Sequence, residues 1–316
     1  MIELEPRQPS FWTALRDYLE VRVTKFSRDL EEWAKWDGPK PWVDFRFNWS
    51  ENETKAYIRR EGLQAEIGFT LGLLITLEDA AQWMNTHEPF RSKLRLAANL
   101  GGHDFSRWII YRWCDWIFHH EVGHFFCGHL SSSTAMWVEG EVQQGRDVAL
   151  TQAMEADADM FAAFLYFDSL HRQLSQNTYQ DFYRTNDLEE IFWDLGMLFA
   201  VLFVVLEYIG PSDKVRTHPK APERLLLFFI EGMSVYRSSS GKSTSVEEGA
   251  MWGGFINALV VMERAGKEFA DLLVSTKLPV ETWKELLLSA KIDERRLFKL
   301  PNDWIFRRPL NSTPRS

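Results

Sequence analysis

His120-Glu121-Val122-Gly123-His124 carries the pattern HExxH, which on a helix sets two imidazoles and one carboxylate around a single divalent metal. At about 100° and 1.5 Å per residue, His120 and His124 lie ~40° apart around the helix and about one turn apart along it. Both rings can therefore reach one Zn²⁺. Glu121 projects beside them, where it can act as a base toward a water activated there. With eight His among 316 residues, the pentapeptide alone arises by chance in roughly one chain in a hundred, so the flanks must decide.

Those flanks run from Asp104 to His129. Phe105 to Val122 contains no Pro or Gly, and Asp104 suits an N-cap, which predicts one helix from about 105 to 129. Aromatic residues on most of its sides predict burial, and a polar HExxH in a buried helix needs partners for its charge. His129, nine residues after His120 and ~180° around an ideal helix, is rejected as a ligand. Gly128 ends or bends the helix, and His129 caps or packs near that end. His119 is read as a neighbour of the site. Cys127 returns to within ~20° of the His120 face, which leaves two readings, a buried thiol acting as a small apolar residue and a further ligand. The first is preferred.

A catalytic zinc needs another protein ligand and an open position. Glu155 is the best candidate, in the helix-forming run Thr151 to Tyr166, where Glu155, Ala158, Asp159, Ala162 and Tyr166 share a face. Carboxylates interleaved with alanines suit a helix that approaches another closely. Glu155 would bind the metal, and Asp159, one turn on, would accept a hydrogen bond from a ligand imidazole and fix its tautomer. Asp157, ~160° around from Glu155, is expected to be solvated. Further on, Thr217-His218-Pro219-Lys220-Ala221-Pro222-Glu223-Arg224-Leu225 reads by itself as a capped loop entering a helix.

Taken together and in this order, HEVGHFFCGH, EADAD followed by Met160-Phe161-Ala162, and HPKAPERL resemble the motifs HExGHxxxGH, ExxAD and HPxxxER of the gluzincin HExxH metallopeptidases of the CAAX prenyl protease and HtpX group. The resemblance covers about residues 105 to 230. It implies His120, His124 and Glu155 as zinc ligands, Glu121 as catalytic base and Asp159 as the outer partner of a ligand. It further implies His218 and Arg224 as active-site supports, with His218 helping the oxyanion. The ImmA/IrrE peptidases share similar HExGHxxxGH and alanine-rich motifs, but HPxxxER sets the former group apart.

One departure from that group concerns the membrane. The longest apolar run, Leu195 to Leu206 between Asp194 and Glu207, would span about 18 Å as a helix against roughly 30 Å of hydrocarbon. It predicts a core helix and no membrane insertion. In architecture the chain is therefore most similar to the soluble Lit-like phage-exclusion peptidases. At 45% hydrophobic and 26% charged residues, the composition suits a large core. Cys114 and Cys127 are the only cysteines and cannot bridge from thirteen residues apart on one helix, which points to a reducing compartment. The acidic start Met1 to Pro6 has no apolar signal region, so a cytoplasmic location is expected. A net charge of −9 argues against a nucleic-acid partner.

The expected fold is α+β, predominantly helical and zincin-like, with a small N-terminal β-sheet. Three regions are expected: 1–100 with a helix and strands packed on the core, 101–236 as the zinc-binding catalytic core, and 237–316 as a C-terminal helical segment. Within them, Phe11 to Trp36 reads as a helix, Val43 to Trp49 as a half-buried strand, and Ala65 to Leu77 as a central strand. Ser238 to Ser245 reads as a flexible loop, with helices at Trp252 to Ala265 and Val280 to Ala290. Fourteen Trp residues predict a Trp-rich core containing Trp108, Trp113 and Trp116, while Trp33, Trp36, Trp42 and Trp49 could include an exposed docking surface. The functional expectation is a zinc endopeptidase acting on a protein or peptide substrate, conditional in phage defence or regulatory. The alternative is a zinc-stabilised regulatory or toxin-like binding protein, favoured by a fourth protein ligand such as Cys127. The sequence identifies neither the substrate nor the oligomeric state.

Overall fold

Strand alternation and helix periodicity divide the computed structural model, which describes residues 13–24, 42–48, 53–95, 102–130, 134–138, 148–175, 187–209, 218–241, 244–262 and 278–290. Four strands, β1 (Trp42–Asn48), β2 (Ala56–Glu61), β3 (Gln64–Thr70) and β4 (Thr134–Val138), form a sheet in the order β1-β3-β2-β4. β1 runs parallel to β3, while β2 is antiparallel to both β3 and β4. Val43, Ala56, Ile58, Ala65, Ile67 and Phe69 are buried, whereas Asp44, Arg46 and Arg59 face outward. That alternation fixes the register, since a one-residue slip would exchange the two faces. β3, the most apolar strand read from the sequence, is central. β2 and β4 were not legible as strands, and β4 adds a strand from beyond the HExxH helix to a sheet expected to be wholly N-terminal.

The expected strand Ala65 to Leu77 is corrected: it ends at Thr70. The Thr70 hydroxyl accepts the Leu73 N–H at 3.3 Å and starts a helix, α2 (Leu71–Thr86). An apolar run long enough for both a strand and a helical turn does not reveal by periodicity alone where one gives way to the other.

The remainder is helical. Residues 13–24 form α1, followed by α2, α3 (Glu88–Arg91), α4 (Gly102–Phe126), α5 (Val148–Ser175), α6 (Leu188–Ile209), α7 (Ala221–Ser240), α8 (Ser245–Val261) and α9 (Val280–Ser289). The fold is thus predominantly helical with a small sheet. Three helix boundaries differ from expectation, the first being the start of α8 at Ser245, seven residues before the expected Trp252. α4 begins at Gly102, so Asp104 lies within the helix and is not the N-cap. Ser238 to Ser240 complete the last turn of α7 and do not belong to a loop. Gly241, at φ 63°, ends the helix by donating its N–H to the Arg237 carbonyl at 3.1 Å.

A contiguous hydrophobic cluster extends from Leu15 in α1 to Leu287 in α9 and includes Trp108, Trp113 and Trp116. The apolar run in α6 is buried over Leu195 to Phe203, and its carbonyl at Leu198 accepts the Trp113 indole N–H at 3.1 Å. The charged residues that bracket this run are acceptors for other segments. Asp194 takes the Arg95 backbone N–H at 2.8 Å, and Glu207 takes the Ala221 N–H at 2.9 Å at the start of α7. Among the described residues no helix is long and apolar enough to cross a membrane. On the far side of α4, Asp115 accepts from Tyr18 at 2.7 Å and from Arg22 at 3.0 Å, which fastens α1 to the metal-motif helix. Cys114 and Cys127 are free and buried. Trp33, Trp36 and Trp49, and the side chain of Trp42, lie outside the described residues.

α6 and α8 pack backbone against backbone. A Cβ on Gly196 would collide with the Met251 carbonyl oxygen, and one on Gly254 with the Trp193 carbonyl oxygen. Neither clash can be relieved by a rotamer change. Gly254→Ala is therefore expected to destabilise the protein by about 1–3 kcal/mol, despite the better helix propensity of Ala, as read from the midpoint of urea unfolding.

Candidate metal centre

α4 and α5 cross at Gly123 and Ala158. A Cβ at Gly123 would lie 3.1 Å from the Ala158 Cα and 3.2 Å from its carbonyl oxygen. Small residues at this crossing bring His120 and His124 of α4 within reach of Glu155 and Asp159 of α5. His120 Nε2 lies 3.1 Å from Glu155 Oε2 and 3.2 Å from His124 Nε2, and His124 Nε2 lies 3.5 Å from the same carboxylate oxygen. His218, just ahead of α7, brings its Nε2 to 3.0 Å from Glu155 Oε2. It remains partly exposed, whereas His120, His124 and Glu155 are buried.

These spacings fit a zinc ion. With ligand bonds of about 2.0–2.1 Å, a tetrahedral site has donor-to-donor edges of about 3.3 Å, and the separations among His120, His124 and Glu155 bracket that value. The donor chemistry agrees, since two imidazoles and a carboxylate are ordinary zinc ligands. Burial opposes a charge on His124 and pushes its pKa down to about 3, which leaves a neutral ring with a lone pair to offer. Burial also opposes charging His120, yet its hydrogen bonds to Asp159 and Glu155 outweigh this and carry its pKa up to about 10. For Glu155, burial favours the neutral acid, but His218, His124 and His120 hold it ionised well below the usual range. An ionised carboxylate set beside imidazole nitrogens is a donor set that a divalent cation could use, the metal taking the place of the proton that His120 otherwise holds.

The surrounding groups are ordered by the same contacts. Asp159 Oδ1 lies 2.8 Å from His120 Nδ1. Arg224 donates to both Asp159 oxygens, from Nε and Nη2 at 2.9 Å each, a bidentate fork. Burial works against the Asp159 charge, and Arg224 is the main influence that keeps its pKa low. Arg224 in turn lies over the Trp116 ring, 5.1 Å from its centroid. The HPKAPER segment achieves this placement through its caps. Glu223 accepts the Lys220 N–H at 2.7 Å while Pro222 occupies the first turn, so α7 starts with Arg224 directed at Asp159. Glu121 is fully buried next to His120.

Some sequence-based expectations differ from this arrangement. Asp157 is not solvated: it is fully buried, with Oδ2 2.9 Å from His129 Nε2. The side of α5 opposite Glu155 faces the end of α4, and Ala153 through Ala163 are all buried, so angular separation from Glu155 did not imply exposure. His129 packs near the helix end as expected, but its ring also meets His124, Nδ1 to Nδ1, at 2.9 Å. Cys127 groups with His129 and Asp157, not with the His120, Glu155 and His218 set. His119 is buried within the electrostatic reach of Arg22 and Asp115, and burial pushes its pKa down to about 3. The signal for the His129 and Asp157 pair was present in Gly128, whose position predicts a chain reversal.

A comparison with protein families bears on this geometry. The model of the family described as Peptidase U49 matches residues 108–242. The matched segment contains every residue of the cluster, from His120 to Arg224, and the match supports a peptidase. Comparisons with curated proteins and with solved structures gave no match.

Arg224 and Asp159 are buried partners, so removing one leaves the other's charge uncompensated. Arg224→Ala is expected to cost about 3–5 kcal/mol of stability. Arg224→Lys should lose less, because it keeps the charge but not the fork. Denaturant unfolding of both variants checks the ordering.

Proposed function

We propose that this chain is a zinc-dependent endopeptidase of the HExxH gluzincin type, with His120, His124 and Glu155 as the residues that would hold the metal. The observation that carries the reading is the convergence of two imidazole nitrogens and a carboxylate oxygen at 3.1–3.5 Å in a buried site within the peptidase-like segment. Zinc bound there supplies a Lewis acid that lowers the pKa of water and polarises a carbonyl. Glu121 takes the proton from the attacking water and passes it to the leaving amine. His218, partly exposed at the rim, hydrogen-bonds the developing oxyanion. Asp159 accepts from His120 Nδ1 and so holds that ring's Nε2 toward Glu155, while Arg224 holds Asp159. The substrate is a protein or peptide. A cytoplasmic setting and a conditional role in phage defence or regulation follow from the motif resemblance and the paucity of cysteines.

A second reading has one specific observation in its favour. His218 Nε2 is close enough to Glu155 to act as a fourth protein ligand, and a closed four-ligand site is the structural kind. In that case the metal would brace a regulatory binding protein. His218→Ala separates the two readings. The peptidase keeps its zinc and loses turnover, whereas the braced binding protein loses zinc affinity.

Glu121→Gln is expected to abolish proteolysis, by at least about 10²-fold for loss of the general base, while zinc content stays close to wild type. A protein cleaved by wild type and tested with the variant provides the measurement. Undiminished cleavage would contradict the mechanism.

A further inference from the structure

We infer that His129 and Asp157 form a second positioning relay for the metal centre, one that sets the tautomer and orientation of His124 as Asp159 does for His120. This deepens the proposed zinc site and rests on it. The relay begins in the backbone. α4 ends at Phe126, and Gly128 takes φ 79°, the left-handed region that closes a helix. The Gly128 N–H reaches the Phe125 carbonyl at 3.3 Å, and the His129 N–H reaches the His124 carbonyl at 3.0 Å. These are the paired bonds of a Schellman motif. The reversal returns residue 129 alongside residue 124, so that the two rings meet edge to face with centroids 5.0 Å apart.

Proton counting gives the chain of rings a direction. A neutral His124 whose Nε2 lone pair faces His120 and Glu155 carries its proton on Nδ1. That proton can only be donated to a His129 Nδ1 that has none, over the observed 2.9 Å. His129 then carries its own proton on Nε2 and donates it to Asp157 Oδ2, also at 2.9 Å. Each bond has one donor and one acceptor, and the chain ends on a carboxylate. His129, Asp157 and His124 are all fully buried, so these hydrogen bonds are not exchanged for water.

A competing use of the same residues is a second cation held by Cys127, His129 and Asp157, whose donor atoms lie within 4.8 Å of one another. Coordination through His129 Nε2 would move that ring's proton to Nδ1. Two N–H groups would then face each other across 2.9 Å between His129 and His124. The relay avoids this conflict and accounts for both nitrogens of each ring.

The test uses the full chain and zinc alone. With ¹⁵N-labelled histidine, His129 is expected as the Nε2–H tautomer with an unprotonated Nδ1, both with and without zinc. A protonated Nδ1 on His129 would overturn the relay. In chelator competition, His129→Leu should weaken zinc binding about 10–100-fold. His129→Gln, which can accept and donate in the same order, should restore most of the affinity. Cys127→Ser should leave affinity and stoichiometry unchanged. Wild-type affinity in His129→Leu, or a second zinc lost on Cys127→Ser, would also overturn it. A wild-type chain that binds no zinc would remove the peptidase reading instead, and the tautomer measurement would still decide the relay.

Discussion

Helices α4 and α5 come so close at Gly123 and Ala158 that a single added methyl group would sit against backbone, and the chemistry of the centre depends on that closeness. Larger residues at the crossing would move the helices apart, and at 3.1–3.5 Å the contacts among His120, His124 and Glu155 leave no slack. The sequence marks the crossing twice, by the glycine inside HExGH and by the alanines spaced among the carboxylates of α5. Helix propensity alone would disfavour the glycine by about 1 kcal/mol relative to Ala, so its presence inside a 25-residue helix, three residues before the last, points to packing.

Burying charge at such a crossing costs several kcal/mol per ion unless partners are found. The protein answers with layers. Glu155 is surrounded by imidazoles, Asp159 is clasped between His120 and Arg224, and Asp157 pairs with His129. Aromatic residues close the outside, with Trp116 stacked near His120 and beneath Arg224. Few arrangements satisfy all of these groups together, and that restriction holds the side chains in one geometry. A site built in this way is preorganised for a cation.

How much of this was legible depended on whether the cause was local. HExxH, the alanine-interleaved carboxylates and the apolar α6 each carry their signal within one or two helical turns, so the helices and the meeting of His120, His124, Glu155 and Asp159 could be read directly. The fork from Arg224 to Asp159 joins residues 65 apart, and the motif resemblance, which implies Arg224 only as an active-site support, does not specify it. Asp157 was misread because angular position on one helix says nothing about what covers its other side. Residues 65–77 were misread because an apolar run hides the point at which Thr70 converts strand to helix.

We propose that these buried groups hold one metal ion. Zinc per folded chain, determined by elemental analysis of the wild type beside Glu155→Ala, tests it most directly. About one zinc is expected in the wild type, with a lost or strongly weakened site in the variant. Well-folded wild type that takes up no zinc even when it is supplied, or a variant that keeps it undiminished, would rule out a metal site at His120, His124 and Glu155.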